Sequence, residues 1–560
     1  FYALALLCYT LALASKTTAC TMPAALLLML WWKREEIRVN RLVQIAPFVL
    51  LGLGAGALTV WWEKFHQGTQ GELFALSLLE RLLVAARAFW FYLGKLVWPA
   101  DLAFSYPRWP IFTGQWTDYG WIAACLILAL ALLGTRRFLG RGPGVAFLFF
   151  AAALSPMLGF VMLYTFRYSF VADHYVYLAS IGPLALAAAA MTVGLQRFER
   201  RPPWLMAATC AALLLPLGYR TWRQGAIYKD EETLWRATIA ANPASWMAQN
   251  NLAIHLLHEG KAEEAVAHFE EALRLDSNYA EAHYNLGNAL FRLGRIKEAR
   301  ARYARAVELI PNYAGARYNF AVLLMQTDEI AAAVEQLESA VKIAPRMAAA
   351  RLLLGKALLR RGRVEEAITQ LQTAVEIEPA LSEGYERLAS VYFHLGREEE
   401  AREQARRLLA TNPGSPAVQT AAGLLLSMLG REAEATDLFE KAIQTDPQNA
   451  EAHFQLGNAF LANRQIEEAM THYRQAIEIK PDHAAARLNL GNALMESNRL
   501  PEAIVQYEKA LEIKPGYALA HRNLSSALNG LGRFDEAMEH LQAAWKIEAQ
   551  TKANPDESPR

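Results

Sequence analysis

Proline recurs every 34 residues at Pro311, Pro345, Pro379, Pro413, Pro447, Pro481 and Pro515, without a slip. Extended backward, the register passes Ser277 and reaches Pro243. Twenty-two residues after each mark stands an alanine, from Ala265 through Ala299, Ala333, Ala367, Ala401, Ala435, Ala469 and Ala503 to Ala537. Ten residues after each mark stands Ala, Gly or, once, Ser, as in Gly287, Gly355, Gly457 and Gly491. A strict period of this length excludes an ordinary globular core. Each unit buries its apolar face only against its neighbours.

The pattern resembles the tetratricopeptide repeat. Small residues stand where two antiparallel helices cross closely, and proline stands where the second helix ends. Nine units are expected over 246–551. Residues 230–242, DEETLWRATIAAN, fit only a second helix and read as a docking half-repeat. Stacked units form an α-solenoid superhelix with a concave groove. The polar tail 552–560 shows no capping helix.

Residues 1–220 have a different character. They hold 18 Lys/Arg against 9 Asp/Glu, whereas the remainder holds 38 against 46. Long uncharged runs replace helical alternation. A spanning helix needs roughly 20 apolar residues. Candidates are 17–32, 42–62, 119–134, 143–165, 174–195 and 203–220. The run 1–14 reads as a membrane helix that the chain enters part-way. The fold class is therefore all-α: a polytopic membrane domain (1–222), a linker with the docking half-repeat (223–245), then the repeats. Residues 72–98 carry Glu80, Arg81, Arg87 and Lys95 in one helical sector. This predicts an amphipathic helix, lying along the outer interface in our reading.

Basic loops at 33–41, 134–142 and 196–201 then fall together on the cytoplasmic side. Lys16, the 99–118 and 166–174 loops and the repeats fall outside the cytoplasm. Arg220, Arg223 and Lys229 run against that assignment. Cys8, Cys20, Cys125 and Cys210 lie in apolar runs, with neither disulfide nor metal-ligand spacing. No nucleotide-binding loop, metal cluster or nucleophilic triad is visible. A transporter reading lacks a charged or broken-helix pathway beyond the stripe at 80–95.

The groove side offers carboxamides. Asn251, Asn285, Asn319, Asn489 and Asn523, with Gln455, recur at one position of the first helix. Asn288, Asn458 and Asn492 recur three residues on. A carboxamide both donates and accepts, so a ladder of them can pair with a peptide backbone without reading its side chains. Alternatively, asparagine is simply common in this repeat. His283, His453 and His521 share a third position and read as packing residues, too far apart from one another for a metal.

Three stretches carry a second resemblance: SKTTACTMP (15–23), FYLGKLVWPADLAFSYPRWP (91–110) and VADHYVYLASIG (171–182). They resemble the membrane core of the transmembrane and tetratricopeptide-repeat O-mannosyltransferases and their bacterial relatives, membrane glycosyltransferases of the GT-C fold. The resemblance implies a polyprenyl-phosphate sugar as donor, protein hydroxyls as acceptor, the lipid bilayer as a partner, and no nucleic acid or further cofactor. Thr17 and His174 depart from the family pattern. The resemblance also implies an acidic catalytic residue in a first external loop, upstream of Phe1. Lys16, Arg108 and Arg167 are candidates for stabilising the lipid phosphate, with Asp173, His174 and Tyr175 shaping the same site. For each a plainer role stands beside this one. Lys16 would mark a helical turn, Arg108 and Arg167 would anchor at the interface, and Asp173 would cap a helix. At the level of function, a non-catalytic membrane-anchored scaffold is the alternative.

Overall fold

The computed structural model describes all residues except 34–38, 66–73, 101, 159–165, 167–168, 173–174, 197–201, 203 and 554–560, and the side chains of 550–553. Among the described residues all regular structure is helical. The chain resolves into two compact units, Phe1–Gly294 and Arg295–Arg560.

The first unit opens with α1 (Tyr2–Ser15), a 3-10 turn (Thr17–Thr21), α2 (Met22–Trp32) and α3 (Val39–Phe65). Then follow α4 (Leu78–Val97), α5 (Gly120–Leu139), α6 (Gly142–Leu154), α7 (Ile181–Gln196) and α8 (Trp204–Gly225). Among the described residues, two helical segments are long and apolar enough to cross a membrane, Val39–Phe65 and Trp116–Leu139. They contain the expected spans 42–62 and 119–134. The expected span 17–32 is divided by the 3-10 turn, which leaves α2 with 11 residues. The candidates 143–165 and 174–195 both include residues outside the described set. Their described parts form shorter apolar helices. From residue 204 on, the candidate 203–220 lies in α8, whose final turns carry Arg220 and Arg223.

Helix α4 begins at Ser77, whose hydroxyl accepts from the Glu80 amide while the Glu80 carboxylate accepts from the Ser77 amide at 2.7 Å. This reciprocal cap sets the helix start. Part of the apolar side of α4 packs inside the protein, while Leu78, Leu79 and Leu82 stay exposed. Leu83, Val84, Ala85, Ala88, Phe89 and Tyr92 are buried. Ala85, Ala88, Phe89 and Tyr92 belong to a core shared with Phe150 and Leu154 of α6 and with Ala103 and Tyr106 of the following loop, and Val84 packs with Phe166 and Phe170. Two cations of its charged stripe stack on aromatic rings. The Arg87 guanidinium lies 4.5 Å from the Trp109 ring, and the Lys95 ammonium 5.3 Å from Tyr106. Such contacts offset the cost of taking a cation partly out of water.

The same loop grips the docking half-repeat. Helix α9 (Glu231–Ala241) packs on α10 (Trp246–His258). Just past α9, the buried Asn242 amide donates to the Ser105 carbonyl at 3.3 Å. Phe104 meets Trp235 edge to face at 5.3 Å, and the Gln224 amide donates to the Leu102 carbonyl. Replacing Asn242 with leucine leaves a buried carbonyl without its donor. The expected cost is about 1–3 kcal/mol, read as faster hydrogen exchange over 231–241.

Nine helix pairs follow, each displaced by 34 residues from the last, from Trp246–His258 with α11 (Ala262–Leu275) to Ala518–Gly530 with Phe534–Ala553. The register alanines are buried, all but Ala537 completely. A Cβ added at Gly457 or Gly491 would lie 2.7 or 2.5 Å from the Tyr473 or Tyr507 ring. These glycines therefore hold the two helices of a pair close together. The turn inside each pair needs a left-handed residue. Gly260, Gly294, Gly362, Gly396, Gly430 and Gly532 supply it, but Asp328, Arg464 and Asn498 occupy the same register at φ near 60°. The left-handed region costs a residue with a Cβ roughly 1–2 kcal/mol. Glycine gives part of that back through the entropy of the unfolded chain. Arg464→Gly is expected to stabilise the protein by about 0.5–1 kcal/mol, measured as a raised denaturation midpoint.

Candidate functional site

Lys16 and the threonines that follow it form a break between helices. Helix α1 ends at Ser15, and Lys16 adopts extended backbone angles, φ −153° and ψ 113°. The Lys16 carbonyl accepts from the Ala19 amide at 3.0 Å, which opens the 3-10 turn. The threonines satisfy that turn and fasten it. Thr21 donates to the Thr18 carbonyl, and the Thr17 and Thr59 hydroxyls lie 3.1 Å apart, tying the turn to α3. Gly52 of α3 admits the close approach, since a Cβ there would lie 2.6 Å from the Tyr9 hydroxyl and 3.2 Å from the Cys20 carbonyl oxygen.

Lys16 is exposed at the mouth of a cavity of about 320 Å³ lined also by Ser15, Thr18, Met157, Tyr175 and Tyr177. Among the described lining residues, Lys16 alone carries charge. A second cavity, of about 800 Å³, is lined by Thr18 and Met157 as well and is mostly aliphatic, with Leu27, Val49, Leu53 and Val60 on its walls. A cationic, hydroxyl-lined pocket thus adjoins an apolar one. The arrangement suits an amphiphile with an anionic head.

The structure brings Lys16 and Tyr175 together at this cavity; Arg108 does not line it, but Tyr175 also packs against Phe170, the ring on which Arg108 stacks. The Arg108 guanidinium sits 4.8 Å from the Phe170 ring, within an aromatic group that includes Trp109. Arg167, Asp173 and His174 lie outside the described residues. Tyr177 lines the Lys16 cavity and was missed, although it stands two residues from Tyr175 in the motif.

The carboxamide ladder is assembled as the spacing implies, but much of its bonding capacity is used internally. In the second unit the Asn458 oxygen accepts from both Asn489 Nδ2 and the Tyr473 hydroxyl, at 2.8 Å each. The Asn492 oxygen accepts from Asn523 Nδ2 at 2.7 Å and the Tyr507 hydroxyl at 2.8 Å. Asn458 donates to Gln455, which donates to Glu451. Both lone pairs on these two oxygens are therefore taken. The amides clasp each repeat to the next, and a peptide has to bond the groups left over. In the first unit Asn285 bonds Asn250, which in turn bonds Asn251, at 3.2 Å each. The buried Asn250 lies one residue off the repeated register and carries no periodic signal. Asn288 and Asn319 are half-buried and also engaged.

Two of the packing histidines have a partner that the first-helix register does not reveal. His453 Nδ1 lies 3.0 Å from His472 Nδ1, and His521 Nδ1 lies 3.0 Å from His540 Nδ1. In each pair the two residues are 19 apart, across the two helices of one repeat. His521 Nε2 faces the Pro515 carbonyl at 3.1 Å, which places its proton on Nε2 and leaves Nδ1 as the acceptor. The ring centroids in the two pairs are 5.3 and 5.2 Å apart. Beyond the nitrogen separation this leaves about two imidazole ring radii, so the nitrogens meet head on. That geometry shares one proton; it does not converge on a metal.

Burial pushes His453, His472 and His540 below the ordinary imidazole value. The folded state therefore favours neutral rings. Below about pH 6.5 the unfolded chain binds more protons. Stability is expected to fall as the pH drops from there through the depressed folded values. A lower melting midpoint at pH 5.5 than at pH 7.5 is the check. The difference should shrink in His453→Gln/His472→Gln.

Glu232, His255 and Glu259 bring ligand atoms within 4.8 Å of one another, but Arg236 already bonds Glu232 and Lys261 bonds Glu259. Cations hold those carboxylates.

Models of the tetratricopeptide repeat match residues 256–294, 280–313, 318–382, 382–425, 427–472, 454–518 and 488–553. Together these make up more than half the chain, and the protein is a tetratricopeptide-repeat protein. Repeats of this type mediate binding to peptide or protein partners.

Within that class the chain is related to the Tmtc O-mannosyltransferases. It is 34% identical over 115 residues to protein O-mannosyl-transferase Tmtc2 of Drosophila melanogaster, covering 20% of this chain and 12% of that protein. To Tmtc3 of the same organism it is 30% identical over 121 residues (21% and 13%), and to TMTC1 of Mus musculus 32% over 126 residues (22% and 13%). The match thus spans about an eighth of the length of these relatives. Among solved structures, MamA of Desulfovibrio magneticus is 27% identical, with 31% of this chain and 91% of that one covered and a TM-score of 0.27. A tetratricopeptide repeat protein of Parabacteroides merdae is 14% identical, with 44% and 98% covered and a TM-score of 0.36.

Proposed function

We propose that this chain is part of a membrane glycosyltransferase that moves a sugar from a polyprenyl-phosphate carrier to protein hydroxyls. In this reading the repeat groove holds the acceptor polypeptide. The observation that carries it is the pair of adjoining cavities beside the 3-10 turn. Lys16 stands where a lipid phosphate would lie, with the Tyr175 and Tyr177 side chains beside it, and the neighbouring apolar cavity takes the isoprenoid chain. As the acceptor hydroxyl gives its proton to a general base, the acidic residue that the resemblance implies, its oxygen bonds to the anomeric carbon; the carbon–oxygen bond to phosphate breaks and the carrier leaves with the electron pair. A fixed cation at that phosphate stabilises the charge that develops there. Relatedness to the O-mannosyltransferases supports mannose as the sugar.

In the same reading the chain crosses the membrane several times and the repeats face away from the cytoplasm. The basic last turn of α5, with Arg136 and Arg137, and Arg141 just before α6 support this through their charge. Cysteines placed on the repeats should react with an impermeant reagent added from outside. Labelling from the cytoplasm alone rejects the topology.

The direct test is transfer in proteoliposomes holding the full-length protein, a polyprenyl-phosphate mannose donor and a Ser/Thr-containing acceptor protein. Sugar on the acceptor is the expected result. Acceptor binding without any transfer would instead favour the second reading, a membrane-anchored scaffold. That reading draws on the repeats, which match tetratricopeptide-repeat models.

A further inference from the structure

A cavity of about 630 Å³ lies between α4, α5 and α6 and shares no lining residue with the Lys16 cavity. Its walls are hydrocarbon, with Phe89 of α4, Leu126 and Leu133 of α5, and Phe147 and Leu148 of α6. Helix α5 has no fully buried residue, so this side of it is left for hydrocarbon to cover. Along α5 the lining runs from Ile122 to Arg136, roughly 21 Å at about 1.5 Å per residue.

Charge stands at one end of this channel. Among the described lining residues, only Arg136 and Arg141 are charged. Gly140, at φ 72°, reverses the chain between α5 and α6 and brings both arginines to Trp31, at the end of α2. Their guanidinium carbons lie 5.4 and 5.6 Å from the Trp31 ring, and Arg141 Nη1 donates to the Trp31 carbonyl at 2.7 Å. Among the described residues neither arginine has a carboxylate partner. Two like charges on one ring repel each other. An anion set between them removes that repulsion and takes up their remaining N–H donors. Helix α2 runs from the Lys16 turn to Trp31, which sets these arginines at the other end of that helix from Lys16.

We infer that this cavity binds an anionic phospholipid, its phosphate at Arg136 and Arg141 and one acyl chain lying along α5 and α6. A long apolar channel with a single cationic end matches an amphiphile and not a soluble phosphate. Chain length selects the kind of amphiphile. The hydrocarbon core of a bilayer is about 30 Å thick. The chain of one leaflet crosses about half of that, which a channel of roughly 21 Å contains. A polyprenyl chain is much longer than the channel. By the charge of the basic loops the arginine end lies at the cytoplasmic leaflet, where basic pockets between helices take anionic headgroups. The site requires the membrane-spanning part of the proposed function and is independent of sugar transfer.

The test titrates the full chain, in mild detergent, with phosphatidylglycerol or phosphatidylcholine and counts bound lipid by native mass spectrometry. Phosphatidylglycerol should bind roughly tenfold more tightly than phosphatidylcholine, and inorganic phosphate should not displace it. Arg136 is exposed, so Arg136→Gln should keep the fold, which circular dichroism checks, and weaken phosphatidylglycerol about fivefold. Arg137 is the next residue but does not line the cavity, and Arg137→Gln should change binding by less than about twofold. Ala129→Trp fills the channel from an exposed position on α5, leaves both arginines in place and should also lower phosphatidylglycerol binding. Equal binding of the two lipids, equal losses in Arg136→Gln and Arg137→Gln, or displacement by inorganic phosphate overturns the proposal. Flotation with phosphatidylcholine liposomes keeps this site apart from the membrane reading. A chain that floats but shows no preference for phosphatidylglycerol loses the site alone, and a chain that does not float loses both.

Discussion

Replacing Lys16 with alanine is expected to lower sugar transfer by the full-length protein about 10²–10³-fold, the usual effect of removing one preorganised charge-stabilising group. The side chain is exposed and makes no core contact, so the melting temperature should hardly move. Loss of transfer with an intact fold separates a phosphate ligand from a residue that only marks the end of α1. Lys16→Arg keeps the charge and should retain most of the donor affinity. It alters the reach of the cation, because a guanidinium is a wider and flatter group than an ammonium. If transfer by Lys16→Ala stays within about twofold of the parent, well short of the effect a charge-stabilising group supplies, the phosphate role is wrong.

The second large effect concerns the repeat core. Tyr507→Ala should destabilise repeat eight by about 3–5 kcal/mol, as expected for deleting a fully buried aromatic ring. Tyr507 is 1% exposed, fills the space that Gly491 leaves, and donates to the Asn492 oxygen. Burial pushes its phenol pKa up, so it remains a neutral donor at ordinary pH. Tyr507→Phe removes only the hydroxyl and should cost about 1 kcal/mol. Gly491→Leu approaches the same contact from the other side and forces the ring out, at about 1–3 kcal/mol. Because repeats couple mainly to their neighbours, hydrogen exchange over 484–513 should rise first. A loss below about 1 kcal/mol in Tyr507→Ala would mean that the ring is not the support described here.

The repeats were legible because their constraint is periodic. Proline ends a helix, alanine or glycine fits a crossing, and each recurs 34 residues on. The left-handed turn position has the same period and went unread, since Asp328, Arg464 and Asn498 stand where glycine would have shown it. The histidine pairs escaped for a related reason: His472 and His540 lie on second helices, 19 residues from their partners. The clasping use of Asn458 and Asn492 depends on donors from two other helices, and no single helix displays it.

The first unit was less legible. The expected amphipathic helix exists, but only packing shows that its apolar face meets Phe150 and Tyr106. The 99–118 loop gave no sign that its Ser105 carbonyl would meet Asn242, 137 residues away in the chain. The sequence by itself determined the helical class, the nine-fold repetition and the position of Lys16 at a break between helices. Local periodicity and backbone preference act over a few residues and can be read along a chain. Only the tertiary structure decided that Lys16 and Tyr175 share a cavity, that Arg108 stacks on Phe170, and that the asparagines bind one another. Each of these depends on groups far apart in sequence meeting within a few ångströms, which packing sets and spacing alone does not.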